Sequence, residues 1–435
     1  MPQRQARRNV PVTRARTTTL LAALYLVQDI AYSFFFLALV VILRRRGVSL
    51  EQLALVNLLG LAWAGKFLLA PLVDRFGLPR LGHYRSWLLA TQLVTVAALL
   101  SLIPLDPAGH LPLVLAVMTV VLLASGAHEV AIGGLAVRLL PPGSRGVAGA
   151  LQTAAISISM VIGSSGSLLL YEHAGWGVAL AVLAAVFALP LALLLRFPEP
   201  PAPARPFAPG RAGAAHGLLS FPRRPGAARW MLLVIPLYTC GVYVAEAVVP
   251  TMLVDAHWSL SRIALVQGTL GGLAATAAAL GAGVVTARVG RGTALLLFGL
   301  AQSCALLGLL PLAGGGDTRA LAGASAALLT TAVVVAVQAL NTAASTAVYT
   351  IAMDLSRPGT AATDFAVQVA VLGILRLAAN STGLALAGLL GYLPLIAASS
   401  AAAAAGALAA AGWARTHHPR LAAAAAPADN RPATV

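Results

Sequence analysis

Charge is scarce in this chain. Only 10% of its 435 residues are charged, against 59% hydrophobic residues and a mean hydropathy of +0.87. A soluble domain carries about 25% charged residues, because its core must be wrapped in a polar coat. So little charge excludes a water-soluble globule, and the long apolar runs exclude a disordered chain. Cysteine is nearly absent. Cys240 and Cys304 both fall inside apolar runs, which excludes a disulfide framework and a cysteine zinc cluster and predicts two small buried hydrophobes. Lysine is nearly absent too: 28 of the 29 basic residues are arginine. They are spread through short loops without interleaved aromatics, so the net charge of +16 does not indicate nucleic-acid binding.

Signatures of chemistry are missing as well. The one lysine, Lys66, follows Ala64 and Gly65 without a phosphate-binding loop, so this chain does not supply ATP hydrolysis. His128-Glu129 opens the metalloprotease pattern, but Ile132 stands where the second histidine must be. His417-His418 has no further ligand nearby. The expectation is no enzyme, no cofactor and no metal.

What is present is a series of apolar runs bounded by Pro, Gly and Arg. They fall at 20–43, 50–70, 86–104, 112–137, 147–171 and 175–197, then at 230–254, 260–287, 293–312, 320–349, 363–390 and 392–414. Each is near the roughly 20 residues that a helix needs to cross a bilayer. The fold class is therefore an all-α integral membrane protein with twelve transmembrane helices. The basic segment 1–17 precedes a first run of full span length with no convincing cleavage site, so that run reads as a retained helix. The proline-rich interval 198–229 breaks the apolar period. It divides the chain into six-helix bundles at 18–197 and 230–415, with an Ala/Pro-rich tail at 416–435 read as disordered.

With the N-terminus inside, cytoplasmic segments carry 22 basic residues and external loops five. That asymmetry predicts cytoplasmic termini. Three of the external five are the cluster Arg44, Arg45 and Arg46, read as a concentrator of anions at the outer mouth or as headgroup contacts. The halves also echo each other. Val48 to Asn57 aligns with Trp258 to Gln267, and Pro142 to Gln152 with Pro358 to Gln368. Ser49 with Gln52, and Ser259 in the second half, read as caps opening the second and eighth helices. Two parallel repeats joined by a linker are the layout of transporters that rock around a central site.

Ionisable residues inside the spans are few: Asp29, His128, Glu129, Glu246 and Arg376, with Lys66 near the end of the second span. Each costs about 2.5–3.5 kcal/mol near the bilayer centre, so it faces a cavity or a partner. At about 1.5 Å per residue, Asp29 lies roughly 13 Å and Arg376 about 20 Å into their spans. A carboxylate in a low dielectric can load and release a proton as access alternates, which makes Asp29, Glu129 and Glu246 the proton-coupling candidates. Arg376 keeps its charge and suits a fixed anion site. His128, Gln28, Asn341 and Asn380 are further substrate-binding candidates, although helix-to-helix hydrogen bonding is the commoner use of such residues. The alternative for the charged set is internal neutralisation, with Asp29 or Glu246 paired to Arg376 or Lys66.

The loop after the second span reads Gly65-Lys-Phe-Leu-Leu-Ala-Pro-Leu-Val-Asp-Arg75, followed by Leu81-Gly-His-Tyr-Arg-Ser-Trp-Leu-Leu89. Its aspartate-arginine turn and basic run resemble the signature loop of the major facilitator superfamily. The resemblance implies a two-bundle transporter and a conformational latch at Asp74, Arg75, Arg80, Arg85 and Lys66. The fuller string, with Met353 to Gln368, resembles the branch of muropeptide permeases, acetyl-coenzyme A transporters and siderophore permeases. Muropeptide permeases tend to carry Gly-Arg-Arg-Arg-Gly-Trp where this chain has Gly82-His-Tyr-Arg-Ser-Trp87. That departure and Thr363-Asp364-Phe365 lean toward the siderophore permeases of the rhizobactin and pyochelin type. The resemblance thus implies proton-coupled import of a ferric siderophore across a bacterial inner membrane, with a muropeptide or another organic anion as the alternative and a non-transporting receptor as a third reading. The expected partners are a small anionic solute, protons and membrane lipid, and no nucleic acid.

Overall fold

The computed structural model describes residues 14–48, 65–78, 80–141, 144–200, 220–314 and 324–417. The described residues are almost wholly helical, and nine of their helical runs are long and apolar enough to cross a membrane. One of these, 145–195, is two helices joined at Gly175, whose φ of 82° is open to glycine and strained for other residues. The sequence places its break at the same point. With the nineteen-residue helix His83–Ser101, the described residues hold eleven of the twelve expected spans. Most of the second span, including Asn57 and the Ser49–Gln52 cap, lies outside the described residues.

We label the main helices α1 (Arg14–Gln28), α2 (Ile30–Ser33), α3 (Val40–Arg45), α4 (Ala70–Arg75), α5 (His83–Ser101), α6 (Leu111–Leu139), α7 (Arg145–Val161) and α8 (Ser167–Leu195). They continue as α9 (Ile235–Asp255), α10 (Gly271–Val289), α11 (Arg291–Leu307), α12 (Ala324–Leu355), α13 (Ala361–Leu390) and α14 (Tyr392–Thr416). The tenth run extends six residues beyond the end expected from hydropathy, to Leu355, because Asp354 and its neighbours are buried by partners rather than by lipid. Ser259 does cap its helix, accepting a hydrogen bond from the N–H of Arg262 at 3.3 Å. The cysteines differ from expectation: Cys240 is half-buried and Cys304 exposed. An exposed thiol on a spanning helix is tolerated because the same helix also exposes Leu297, Leu300 and Leu307.

The chain forms two compact units that do not follow the sequence halves. The first contains residues 1–141, 158–217 and 357–366, and the second 142–157, 218–356 and 367–435. Each unit thus takes a short segment from the opposite half of the sequence. Unit 1 has its core around Phe34, Phe35, Met118, Leu122, Trp176 and Leu180. Unit 2 has one core around Trp230, Phe298, Ile351 and Trp413, and another around Val248, Leu306, Val337 and Ile396.

Candidate functional site

In unit 1 the first span is interrupted at Asp29. Its φ of −104° and ψ of 2° leave the helical region between α1 and α2, and a π-helical turn, Phe34–Leu39, follows. Ending α1 at Gln28 orphans the carbonyls of its last turn. Two serines take them up: Ser125 Oγ donates to Gln28 O at 2.8 Å, and the hydroxyl of Ser159 donates to Leu26 O. Gln28 Nε2 donates to Asp29 Oδ2 at 3.0 Å. A broken helix that carries a carboxylate at the break is a recurrent way of building an ion site within a membrane.

Against this break packs a buried ion pair between Lys66 Nζ and Glu129 Oε2, whose side chains are 9% and 8% exposed. Asp29 lies within electrostatic reach of both. The cluster therefore holds two carboxylates and one ammonium, so one acid lacks a full counter-charge. This revises two expectations. Lys66, expected in the latch, is buried on Glu129, because its 3-10 turn, Gly65–Leu68, turns it inward. His128, a substrate candidate, is buried with its ring N–H on Leu24 O at 3.2 Å, and Gln28 is buried beside Asp29. Both are used in holding α1 to α6 and in orienting Asp29.

Unit 2 holds a second charged group. Glu246 on α9 accepts a hydrogen bond from Asn341 Nδ2 of α12 at 2.8 Å. Its other oxygen stands 3.6 Å from Arg376 Nη2 of α13. The guanidinium lies over the Tyr243 ring at 5.4 Å. The Arg376 side chain is 60% exposed while that of Glu246 is 17% exposed. The Glu246–Arg376 pairing expected under internal neutralisation is present. Lys66, however, takes Glu129, a partner that reading did not assign. Asn380 lies on the same helix as Arg376, and its side chain is outside the described residues.

The latch residues divide. Asp74, at the end of α4, accepts backbone N–H bonds from Ala362 at 3.1 Å and Thr363 at 2.7 Å in the first turn of α13, and the Tyr84 hydroxyl at 2.6 Å. A carboxylate at a helix N-terminus meets both free N–H groups and the positive end of the helix dipole. Burial pushes the Asp74 carboxyl above its ordinary range, and the bonds from Thr363 and Tyr84 offset only part of that. Arg85 joins the same region through Nη2 on Leu195 O at 2.6 Å. Arg75, the last residue of α4, and Arg80, beyond it, are exposed.

Several partners were not foreseen. Glu199 caps α5 through the N–H groups of Tyr84 and Arg85 and pairs with Arg138 at 2.6 Å. Asp354 sits between Arg145, at 3.5 Å, and Arg291, at 2.9 Å. Asp364 is gripped by Arg357 through two 2.7 Å bonds, which hold the arginine above its ordinary range. The signal for Glu199 was a lone acid among prolines. For Asp354 and Asp364 it was an acid in each half of one arginine-containing loop.

At the other polar margin, Arg45 pairs with Glu172 at 3.2 Å, and Arg46 bonds Asp106 at 3.0 Å and the Tyr171 hydroxyl at 2.9 Å. Those acids neutralise the expected anion funnel locally and tie α3 to α8 and to the loop between α5 and α6. The side chain of Arg44 lies outside the described residues.

The interrupted first span, the buried charges and the aspartate on a helix N-terminus define a helical membrane transporter. Residues 21–379 match the Major Facilitator Superfamily profile, and the chain belongs to that family of secondary transporters. It is 29% identical over 270 residues to the anhydromuropeptide permease of Escherichia coli K12, covering 60% of this chain and 53% of that protein. The chain thus spans about half the length of the first curated relatives it matches. A putative AmpG 4 transporter of Rickettsia felis is 23% identical over 289 residues, covering 62% of this chain and 67% of that protein. Among solved structures, the E. coli fucose:proton symporter FucP superposes with a TM-score of 0.66 at 13% identity, over 91% of this chain and 98% of that one. The human organic anion transporter MFSD10 gives 0.66 at 17% identity, over 91% and 99%. These structural likenesses carry the fold.

Proposed function

We propose that the protein imports muropeptides across a bacterial inner membrane, coupled to protons, with six helices in each sequence half and both termini in the cytoplasm. The observation that carries this reading is the 270-residue likeness to the anhydromuropeptide permease. It favours the muropeptide alternative over the ferric siderophore. The siderophore resemblance was drawn on two motifs that make structural contacts. Its motifs, Gly82 to Trp87 and Thr363-Asp364-Phe365, sit at the Asp74 and Glu199 contacts, and Thr363, Asp364 and Phe365 are buried there. Those residues serve the scaffold.

The Asp29–Lys66–Glu129 cluster supports proton coupling. Two carboxylates share one ammonium in a setting without bulk water, so a proton can complete the charge balance. Releasing that proton as access changes sides would drive the cycle. The test is uptake of labelled anhydromuropeptide by cells lacking their own permease, with and without this gene. Accumulation that depends on the gene and collapses with a protonophore is expected. Uptake of a ferric siderophore in its place would return the assignment to iron.

A further inference from the structure

We propose that Arg376 receives a carboxylate of the transported solute, and that Glu246 is the internal carboxylate which the solute displaces. Four observations converge on this. First, Arg376 sits on a spanning helix and its side chain is 60% exposed. An arginine turned toward hydrocarbon is strongly unfavourable, so its open side faces water. Second, its contact with Glu246 is loose. The 3.6 Å separation exceeds hydrogen-bond length, whereas Arg357 grips Asp364 through two 2.7 Å bonds. Third, Glu246 has an independent anchor in Asn341 Nδ2 at 2.8 Å, so losing Arg376 does not leave it without a partner. Fourth, the Tyr243 ring supports the guanidinium from another side and can keep it oriented while its carboxylate changes. A planar fork of N–H donors suits a carboxylate better than it suits a hydroxyl or an amide.

The exchange has a consequence for charge. When a solute carboxylate takes the guanidinium, Glu246 keeps Asn341 and loses its cation. The groups facing it are Arg376 from α13, Asn341 from α12, and Tyr243 on its own helix, with Cys240 beyond Tyr243. None of these supplies a replacement positive charge. A hydronium ion gives its proton to Glu246, leaving water and a neutral acid hydrogen-bonded to Asn341. On release of the solute the acid returns that proton to water, and the carboxylate pairs again with Arg376. Solute and proton thus arrive together in unit 2, separately from the Asp29 cluster in unit 1. The inference rests on the muropeptide reading only for the choice of probe.

The experiment uses the full chain purified in detergent, with an anhydromuramyl tripeptide, its analogue with every carboxylate converted to an amide, and a panel of simple carboxylates. Phenylglyoxal labelling of Arg376, read by mass spectrometry, reports whether a ligand covers the guanidinium. The acid should slow labelling while the amide should not. Arg376→Gln should weaken binding of the acid by about 30-fold or more and leave the amide within a few-fold. Calorimetry in buffers of different ionisation enthalpy should find about one proton taken up per acid bound, and none in Glu246→Gln, which keeps its Asn341 contact and still binds. If the muropeptide acid neither binds nor protects but another carboxylate does, the muropeptide reading fails and the Arg376 site stands. If the muropeptide binds while Arg376 labels at an unchanged rate, or if acid and amide lose affinity equally in Arg376→Gln, the site is wrong and the muropeptide reading survives. Proton uptake that persists in Glu246→Gln would remove Glu246 from the exchange. Protection by no carboxylate at all overturns the proposal.

Discussion

Unit 1 and unit 2 each hold a basic residue against a glutamate, and the two pairs are built in opposite ways. Lys66 and Glu129 are both nearly sealed, with Asp29 alongside at the break in the first span. Arg376 is open and stands 3.6 Å from its glutamate, which is held from behind by Asn341. A sealed pair surrounded by protein can exchange only something as small as a proton. An open arginine with a replaceable partner can exchange a whole anionic group. The same two residue types therefore serve different ligands, and burial is what separates them.

The largest expected effect comes from breaking the sealed pair on one side. Lys66→Met strands Glu129 and should lower stability by about 3–5 kcal/mol in detergent unfolding. Adding Glu129→Leu should recover most of that stability while proton-driven accumulation stays absent. A double variant as unstable as the single would show that the pair is not the unit of stability. Arg376→Gln, by contrast, should shift unfolding little, since Glu246 keeps Asn341.

Packing around the two pairs differs in the same sense. A Cβ at Gly163 would collide with Ile30 O, beside the Asp29 break. At Gly383, near Glu246, the nearest atom is Val244 O at 3.0 Å. Gly163→Ala should cost about 1–3 kcal/mol of stability and depress coupled uptake. Gly383→Ala should cost less than about 1 kcal/mol. Equal costs, measured by thermal unfolding, would mean that the closed and open sites are packed alike.

Asp74 gives a pH test on the sealed unit. Asp74→Ala removes two helix-terminal hydrogen bonds and should cost about 1–2 kcal/mol near neutral pH. Burial raises the folded carboxyl above its unfolded range, so the folded state binds that proton more tightly. The contribution of Asp74 is then full below about pH 4 and diminishes as pH rises through the folded value. The stability gap between wild type and Asp74→Ala should accordingly narrow with rising pH; a widening gap would reverse the sign of the shift. The smallest effect is expected at the margin that holds Arg45 and Arg46. Arg45→Gln and Arg46→Gln remove exposed pairs, so uptake should change by less than about twofold. A steep loss of anion uptake there would restore the funnel.

The helices were legible because spanning a bilayer demands about 20 apolar residues each, and this demand places the breaks at Gly175 and after Leu390 close to where they are seen. The charged candidates were legible for the same reason, since charge stands out in an apolar run. Their pairings were not. Lys66 was placed at the end of the second span and in the latch, and not on Glu129, because the turn Gly65–Leu68 that buries it leaves no hydropathy signal. Glu199 looked like part of a linker because its partners, Arg138 and the start of α5, are 61 and more residues away. The motif at Thr363–Phe365 was read as a mark of substrate, although its conspicuous residues are taken up by Asp74, Arg357 and the packing of Phe365.

From the sequence alone follow the solvent, the number of spans and the short roster of ionisable residues, because lipid penalises polar groups one residue at a time and leaves a local record of each. Which of those residues are sealed and which are open is a property of helices brought together from distant parts of the chain. Only the tertiary structure decided it, because the partners that close over Lys66 and leave Arg376 accessible lie on other helices.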